Sequence, residues 1–249
     1  MLQERNTREL SARSVLASLL LGMRDGKLPG SALVRAGSVF DFAEGTTRVA
    51  LSRMVAAGEL TTEGGEYRLA GPLLARHGRQ EEGRRPRLRR WDGTWRIAIV
   101  GSSGTRRDAT ERALVRRTLA ELRLGEWREG VWLRPDNLER TMPPIEDCAW
   151  VTRARLADDD QVDDLVARLW NPGQWATEAS RLRGAMATTV PEAGIADSFL
   201  LAAAVVRHMR DDPLLPPELL PAHWPGDDLR SDYDRYEVAF RAAVGEFYR

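Results

Sequence analysis

The stretch Thr46-Thr-Arg-Val-Ala-Leu-Ser-Arg-Met-Val-Ala-Ala-Gly58 is followed at once by Leu60-Thr-Thr and, across Glu63-Gly-Gly, by Glu66-Tyr-Arg-Leu69. Thr47, Ala50, Leu51, Met54 and Val55 recur at helical spacing and predict the inner face of a helix, leaving Thr46, Arg48, Val49, Ser52 and Arg53 outside. Gly58 reads as its C-cap. The two short runs that follow read as a hairpin, whose Gly-Gly pair supplies the positive φ of a tight turn. Upstream, Val15, Leu16, Leu19, Leu20 and Met23 predict a helix over Ser11–Met23, and Ala32, Leu33 and Ala36 predict a second over Pro29–Ala36. Three helices followed by a hairpin is the order of a winged helix-turn-helix, assigned to residues 1–70. Its third helix would enter a DNA major groove, with Arg68 as the cation of the wing.

Beyond it, residues 71–90 are polar, interrupted by Gly78, Gly83 and Pro86, and carry Arg84, Arg85, Arg87, Arg89 and Arg90. They read as an arginine-rich linker arm whose Arg84, Arg85 and Arg87 would add sequence-independent phosphate contacts. A new unit opens at Trp91-Asp-Gly-Thr-Trp95. Strand patterns at 96–100, 130–133 and 148–152 and helical patterns at 108–122 and 160–170 give the order β, α, β, β, α, with room for an unseen strand. That order suggests a ferredoxin-like α/β sandwich over 91–170. From 171 to 249 the chain reads as helices separated by proline-rich turns, a C-terminal helical domain. The fold class expected is therefore α+β, in three domains.

The 37 basic and 37 acidic side chains cancel in sum but not along the chain. Residues 1–90 hold 16 basic and 10 acidic groups, 91–155 hold 12 and 10, and 156–249 hold 9 and 17. Such asymmetry suggests a basic module facing a polyanion and an acidic module elsewhere. Lys27 is the sole lysine; arginine-rich codon usage accounts for the ratio as readily as bidentate phosphate or guanine binding does. No apolar run approaches the roughly 18–20 residues of a membrane span, and MLQERNTREL has no apolar signal core, so a cytoplasmic protein is expected.

Catalytic groups are sparse. His77, His208 and His223 have no partner at metal-ligand spacing, Cys148 lies in an apolar run, and Asp158 to Asp164 read as an acidic helix N-terminus. No catalytic residue, metal or cofactor is expected. Gly101-Ser-Ser-Gly104 with Arg106 and Arg107 is either a plain loop or an anion cradle at a strand-to-helix turn. Trp91, Trp95, Trp127, Trp132 and Trp150 suit either a core or a planar ligand.

With those residues in place, the chain resembles the PaaX-type regulators, the phenylacetic acid degradation repressors. The resemblance rests on Thr47-Arg-Val-Ala-Leu-Ser-Arg53, Trp91-Asp-Gly-Thr-Trp-Arg96, and Asp212-Pro-Leu-Leu-Pro-Pro-Glu-Leu-Leu-Pro221 with Trp224-Pro-Gly226. It implies a homodimeric bacterial repressor of an aromatic-acid catabolic operon, bound to a double-stranded operator with inverted-repeat symmetry. Release would follow from a small effector, phenylacetyl-coenzyme A or a related acyl-CoA thioester in the founding members. Arg48, Ser52 and Arg53 match the family's recognition-helix pattern, and Arg106, Arg107, Trp132 and Arg207 are the effector-contact candidates. Glu63 and Glu66 make the wing more acidic than is usual in the family, and Val205-Val-Arg-His208 stands where an aromatic-and-arginine cluster is often found. Two other classes compete: a winged-helix module that binds protein, and a nuclease or nucleotide-handling enzyme using Asp92 or Asp108.

Overall fold

The computed structural model describes residues 11–100, 109–139, 149–156, 161–191 and 194–248. Along the chain run α1 (Ala12–Gly22), β1 (Lys27–Pro29), α2 (Gly30–Val39), α3 (Glu44–Ala56), β2 (Leu60–Glu63), β3 (Glu66–Leu69) and α4 (Gly71–Arg84). Then follow β4 (Trp95–Val100), α5 (Ala109–Glu121), β5 (Gly125–Arg128), β6 (Val131–Pro135), β7 (Ala149–Ala154), α6 (Val162–Trp170), α7 (Pro172–Thr188), α8 (Ile195–Arg210) and α9 (Gly226–Tyr248). They form two compact units. The first takes Met1–Glu81, Leu182–Arg210 and Asp228–Arg249; the second takes Glu82–Arg181 and Asp211–Asp227.

In the first unit Ser11 caps α1, its side chain accepting from the Ser14 amide at 3.2 Å. Leu16, Leu20, Leu33, Leu51, Met54, Leu60, Leu69 and Leu73 close one core. Each such side chain contributes about 1.5–3 kcal/mol on leaving water. The expected hairpin forms, with Gly64 and Gly65 at φ +57° and +81°. It belongs to a three-stranded antiparallel sheet of order β1-β3-β2. Strand β1 has three residues, too few to show an alternation, and so had no signal in the sequence.

Two sequence expectations change here. The stretch read as a linker is a helix over its first part, α4: Leu73 enters the core, and both His77 ring nitrogens lie 3.3 Å from carbonyl oxygens, of Leu21 and of Arg24. Leu73, His77 and Gln80 fall on one helical face, and their packing outweighs the cost of about 1 kcal/mol for an interior glycine such as Gly78. The expected C-terminal helices form, but the compact units divide them. Helices α8 and α9 join the N-terminal module, where Phe40 meets Phe199 edge-on at 5.0 Å and the Tyr236 hydroxyl donates to the Ser198 carbonyl at 3.1 Å. The opposed charges also fold together, because the arginines of 84–90 lie in the second unit with the acid-rich stretches 156–181 and 211–227: the first unit holds 18 basic and 16 acidic residues, the second 19 and 21.

The second unit is built on a four-stranded sheet of order β5-β6-β4-β7, every neighbouring pair antiparallel, as in a ferredoxin-like sandwich. The strand unseen in the sequence is β5, four residues with a bulge between Glu126 and Arg128. One sheet face packs Ala98 and Trp132 on Val115 and Leu119 of α5. The other packs Trp95 and Leu133 on Val162 and Val166 of α6 and on Leu215. The proline-rich run is seated in this unit: Leu214 donates its amide to Asp212 Oδ1 at 2.8 Å, and its carbonyl accepts from Arg134 at 3.1 Å and Asn137 at 3.0 Å.

Candidate nucleic-acid interface

Helix α3 sorts its side chains as its spacing requires. Thr47, Leu51 and Met54 are buried, while Thr46, Arg48, Val49, Ser52 and Arg53 are exposed in one outer stripe. Val49 is 50% exposed, an apolar group of the kind that can meet a thymine methyl. Arg48 pairs with Glu44 one turn earlier at 2.7 Å, through both Nε and Nη2. Arg53 lies in the last turn, where its charge complements the helix dipole. The helix is set close against α2 because Gly37 has no side chain: a Cβ there would stand 2.4 Å from Thr47 Oγ1.

Beside it, β1 changes the electrostatics of the hairpin. Cross-strand pairing places Lys27 opposite Arg68, and both cations converge on Glu66, at 3.3 Å and 2.6 Å. Arg68 is thus joined by a second cation, Lys27, which the sequence did not reveal because β1 left no pattern in it.

The arginine stretch is anchored where a loose arm was expected. Arg84 is half-buried in the last turn of α4, while Arg85 and Arg87 are exposed. From there the backbone pairs with residues 137–139: Leu88 bridges Leu138, Arg89 donates its amide to the Asn137 carbonyl at 2.8 Å, and the Glu139 amide donates to the Arg87 carbonyl at 3.0 Å. Arg89 continues to Asp136, whose carboxylate also receives Arg96 and Arg153.

Three family profiles match in series: PaaX-like protein over residues 11–73, the PaaX protein central Cas2-like domain over 88–163, and the PaaX-like protein C-terminal domain over 173–249. The chain belongs to the PaaX family. PaaX proteins are transcriptional regulators, and the central match agrees with the ferredoxin-like sheet. Among solved structures this PaaX chain is similar to the uncharacterized protein Rv0674 from Mycobacterium tuberculosis. The two are 42% identical, with a TM-score of 0.73, over 96% of this chain and 100% of that one. No curated protein sequence matches it significantly.

Of the four effector candidates of this PaaX protein, the structure describes two. Arg106 and Arg107 lie outside the described residues. Trp132 is buried beneath α5 as a core side chain, and Arg207 is exposed in the last turn of α8, in the other unit. Of the acids considered for catalysis, Asp108 lies outside the described residues. Asp92 is exposed and turned back on its own loop, accepting from the Thr94 amide at 2.9 Å; its hydrogen bonding to Thr94 holds the carboxyl below the usual range. Among the described residues no group of three or more His, Cys, Asp or Glu could hold a metal ion, and no helix is long and apolar enough to cross a membrane.

Proposed function

We propose that this PaaX-type regulator is a homodimeric repressor whose first three helices and β2–β3 hairpin act as a winged helix-turn-helix. Helix α3 reads an inverted-repeat operator in duplex DNA. The observation that carries the proposal is the outer stripe of α3: two arginines, two hydroxyls and one exposed valine on a rod held from behind by Thr47, Leu51 and Met54. Arginine can grip guanine O6/N7 or a phosphate, the hydroxyls reach phosphate or base edges, and the valine discriminates by methyl contact. A twofold dimer would place two such helices about 34–36 Å apart, or a multiple of it, which is why the operator should be an inverted repeat.

Release follows from a small effector, an acyl-CoA thioester such as phenylacetyl-coenzyme A, that binds one dimer geometry better than the other. A differential of about 1–3 kcal/mol is the usual scale of such coupling. Support for this part comes from family membership alone. The operon regulated would be one for aromatic-acid catabolism.

The test begins with selection of the preferred duplex from a random pool, followed by gel-shift titration. Arg53→Ala should weaken binding to the selected site by about 1–3 kcal/mol while leaving the melting temperature in place. Equal affinity for the selected site would remove Arg53 from the reading face.

A further inference from the structure

Cross-strand pairing lines up three arginines in one row: Arg134 on β6 lies opposite Arg96 on β4, which lies opposite Arg153 on β7. Directly opposed side chains share a face of the sheet, and like charges placed so are destabilising. Arg89 joins them from the paired stretch after α4. Asp136, with only 5% of its side chain exposed, takes Arg89 at 2.5 Å and Arg153 at 2.7 Å on Oδ2, and Arg96 at 2.7 Å on Oδ1. Three guanidinium groups thus share one carboxylate. They differ in access: Arg96 is buried, whereas 41% of the Arg89 side chain and 59% of the Arg153 side chain remain exposed.

Arg134 is not part of the exposed set. Its guanidinium donates to the Pro135 and Leu214 carbonyls and to Asn137 Oδ1, and burial, reinforced by Arg123, pushes it down to about 9. It therefore stays cationic at neutral pH and adds to the positive field behind the row. Arg155 follows two residues after Arg153, its Nη1 where a Cβ on Gly93 would lie only 2.7 Å away.

We propose that Arg89 and Arg153, held in place by Asp136, form a binding site for a phosphate group on the ferredoxin-like unit. A guanidinium keeps further N–H donors after engaging one carboxylate oxygen, and its planar fork suits phosphate oxygens two at a time. Fixing both arginines on a buried acid removes much of the side-chain entropy that an exposed arginine loses on binding. A dianion would add negative charge beside the guanidinium groups that Asp136 gathers. The site lies outside α3 and does not depend on α3 reading an operator. The phosphate can belong to a small ligand or to a nucleic-acid backbone, and the experiment separates the two.

The full-length protein is titrated calorimetrically with inorganic pyrophosphate at low salt, then with a duplex of unrelated sequence. The expected result is saturable binding weakened at least about tenfold in the double variant Arg89→Gln, Arg153→Gln, and unchanged in Arg117→Gln, an exposed arginine of the same unit that pairs with Glu121. Melting curves accompany each titration, and Arg153→Gln alone, at the more exposed of the two positions, serves if the double variant is poorly folded. Pyrophosphate binding that unrelated duplex does not compete assigns the phosphate to a small ligand; competition, with a lower duplex affinity in the variant, assigns it to the backbone. Titrations of variant and wild type that coincide for both probes overturn the site.

Discussion

The outer face of α3 and the Asp136 cluster are both arginine-bearing surfaces, yet they hold their charges in opposite ways. On α3, Arg48 meets Glu44 in a pair whose side chains are 67% and 62% exposed, and either partner can leave for water. At Asp136, guanidinium groups from three separated segments converge on a buried carboxylate. An exposed pair of the first kind is worth about 0–1 kcal/mol, whereas breaking a buried one costs about 3–5 kcal/mol because a charge is left without a partner. The same residue type is therefore exchangeable at one place and structural at the other.

The largest effect should come from removing the shared acid. Asp136→Ala leaves Arg96 buried without its carboxylate and should lower stability in urea by about 3–5 kcal/mol. A loss under about 1 kcal/mol would make the cluster no different in kind from the pair on α3. A smaller loss should follow from Gly37→Ala, where the added methyl runs into Thr47 Oγ1. Overpacking of that kind costs about 1–3 kcal/mol. Since the clash pushes on α3, the variant should also lose affinity for its selected duplex, which Asp136→Ala, measured well below its melting point, should do less.

These two regions differ as much in how legible they were. Thr47, Leu51 and Met54 fall at intervals that leave one solution for which side of α3 is buried, so the five outer residues could be named from periodicity, and the Gly-Gly turn marked the hairpin. Nothing local announces Asp136. It follows Pro135 at the end of a strand, and its partners Arg89, Arg96 and Arg153 come from segments that only the strand order β5-β6-β4-β7 brings side by side. Long-range pairing also explains the remaining differences. Three-residue β1 exists because β3 supplies its hydrogen-bond partners, and α4 survives Gly78 because Leu73 has a core to enter. The charge count along the chain misled for the same reason, since the arginines of 84–90 and the acid-rich stretches 156–181 and 211–227 belong to one unit.

Between the two regions in sequence come Arg85 and Arg87, exposed on a stretch whose backbone is pinned by Leu138 and Asn137. If they meet phosphate, Arg85→Gln with Arg87→Gln should reduce the slope of log affinity against log salt by about 1 for each phosphate no longer neutralised, without altering preference among duplexes. An unaltered slope would confine DNA binding to α3 and the hairpin.

The smallest expected effect is also the one most specific to an exchangeable pair. Glu44 lies in the first turn of α3, where it both complements the helix dipole and engages Arg48. Glu44→Gln should therefore cost stability, by about 0.3–1 kcal/mol, since a favourable end charge and an i,i+4 pair are removed together. Binding should move the other way. In the wild type Arg48 must leave Glu44 before it can grip a phosphate or guanine, and the acid itself repels the duplex; the glutamine removes both obstacles. A variant that is slightly less stable yet binds duplex more tightly, with the gain shrinking as salt is raised, is the signature of an arginine held in reserve. Loss of stability and affinity together would instead mean that Glu44 positions Arg48 for DNA, and the pair on α3 would then resemble Asp136 and its arginines.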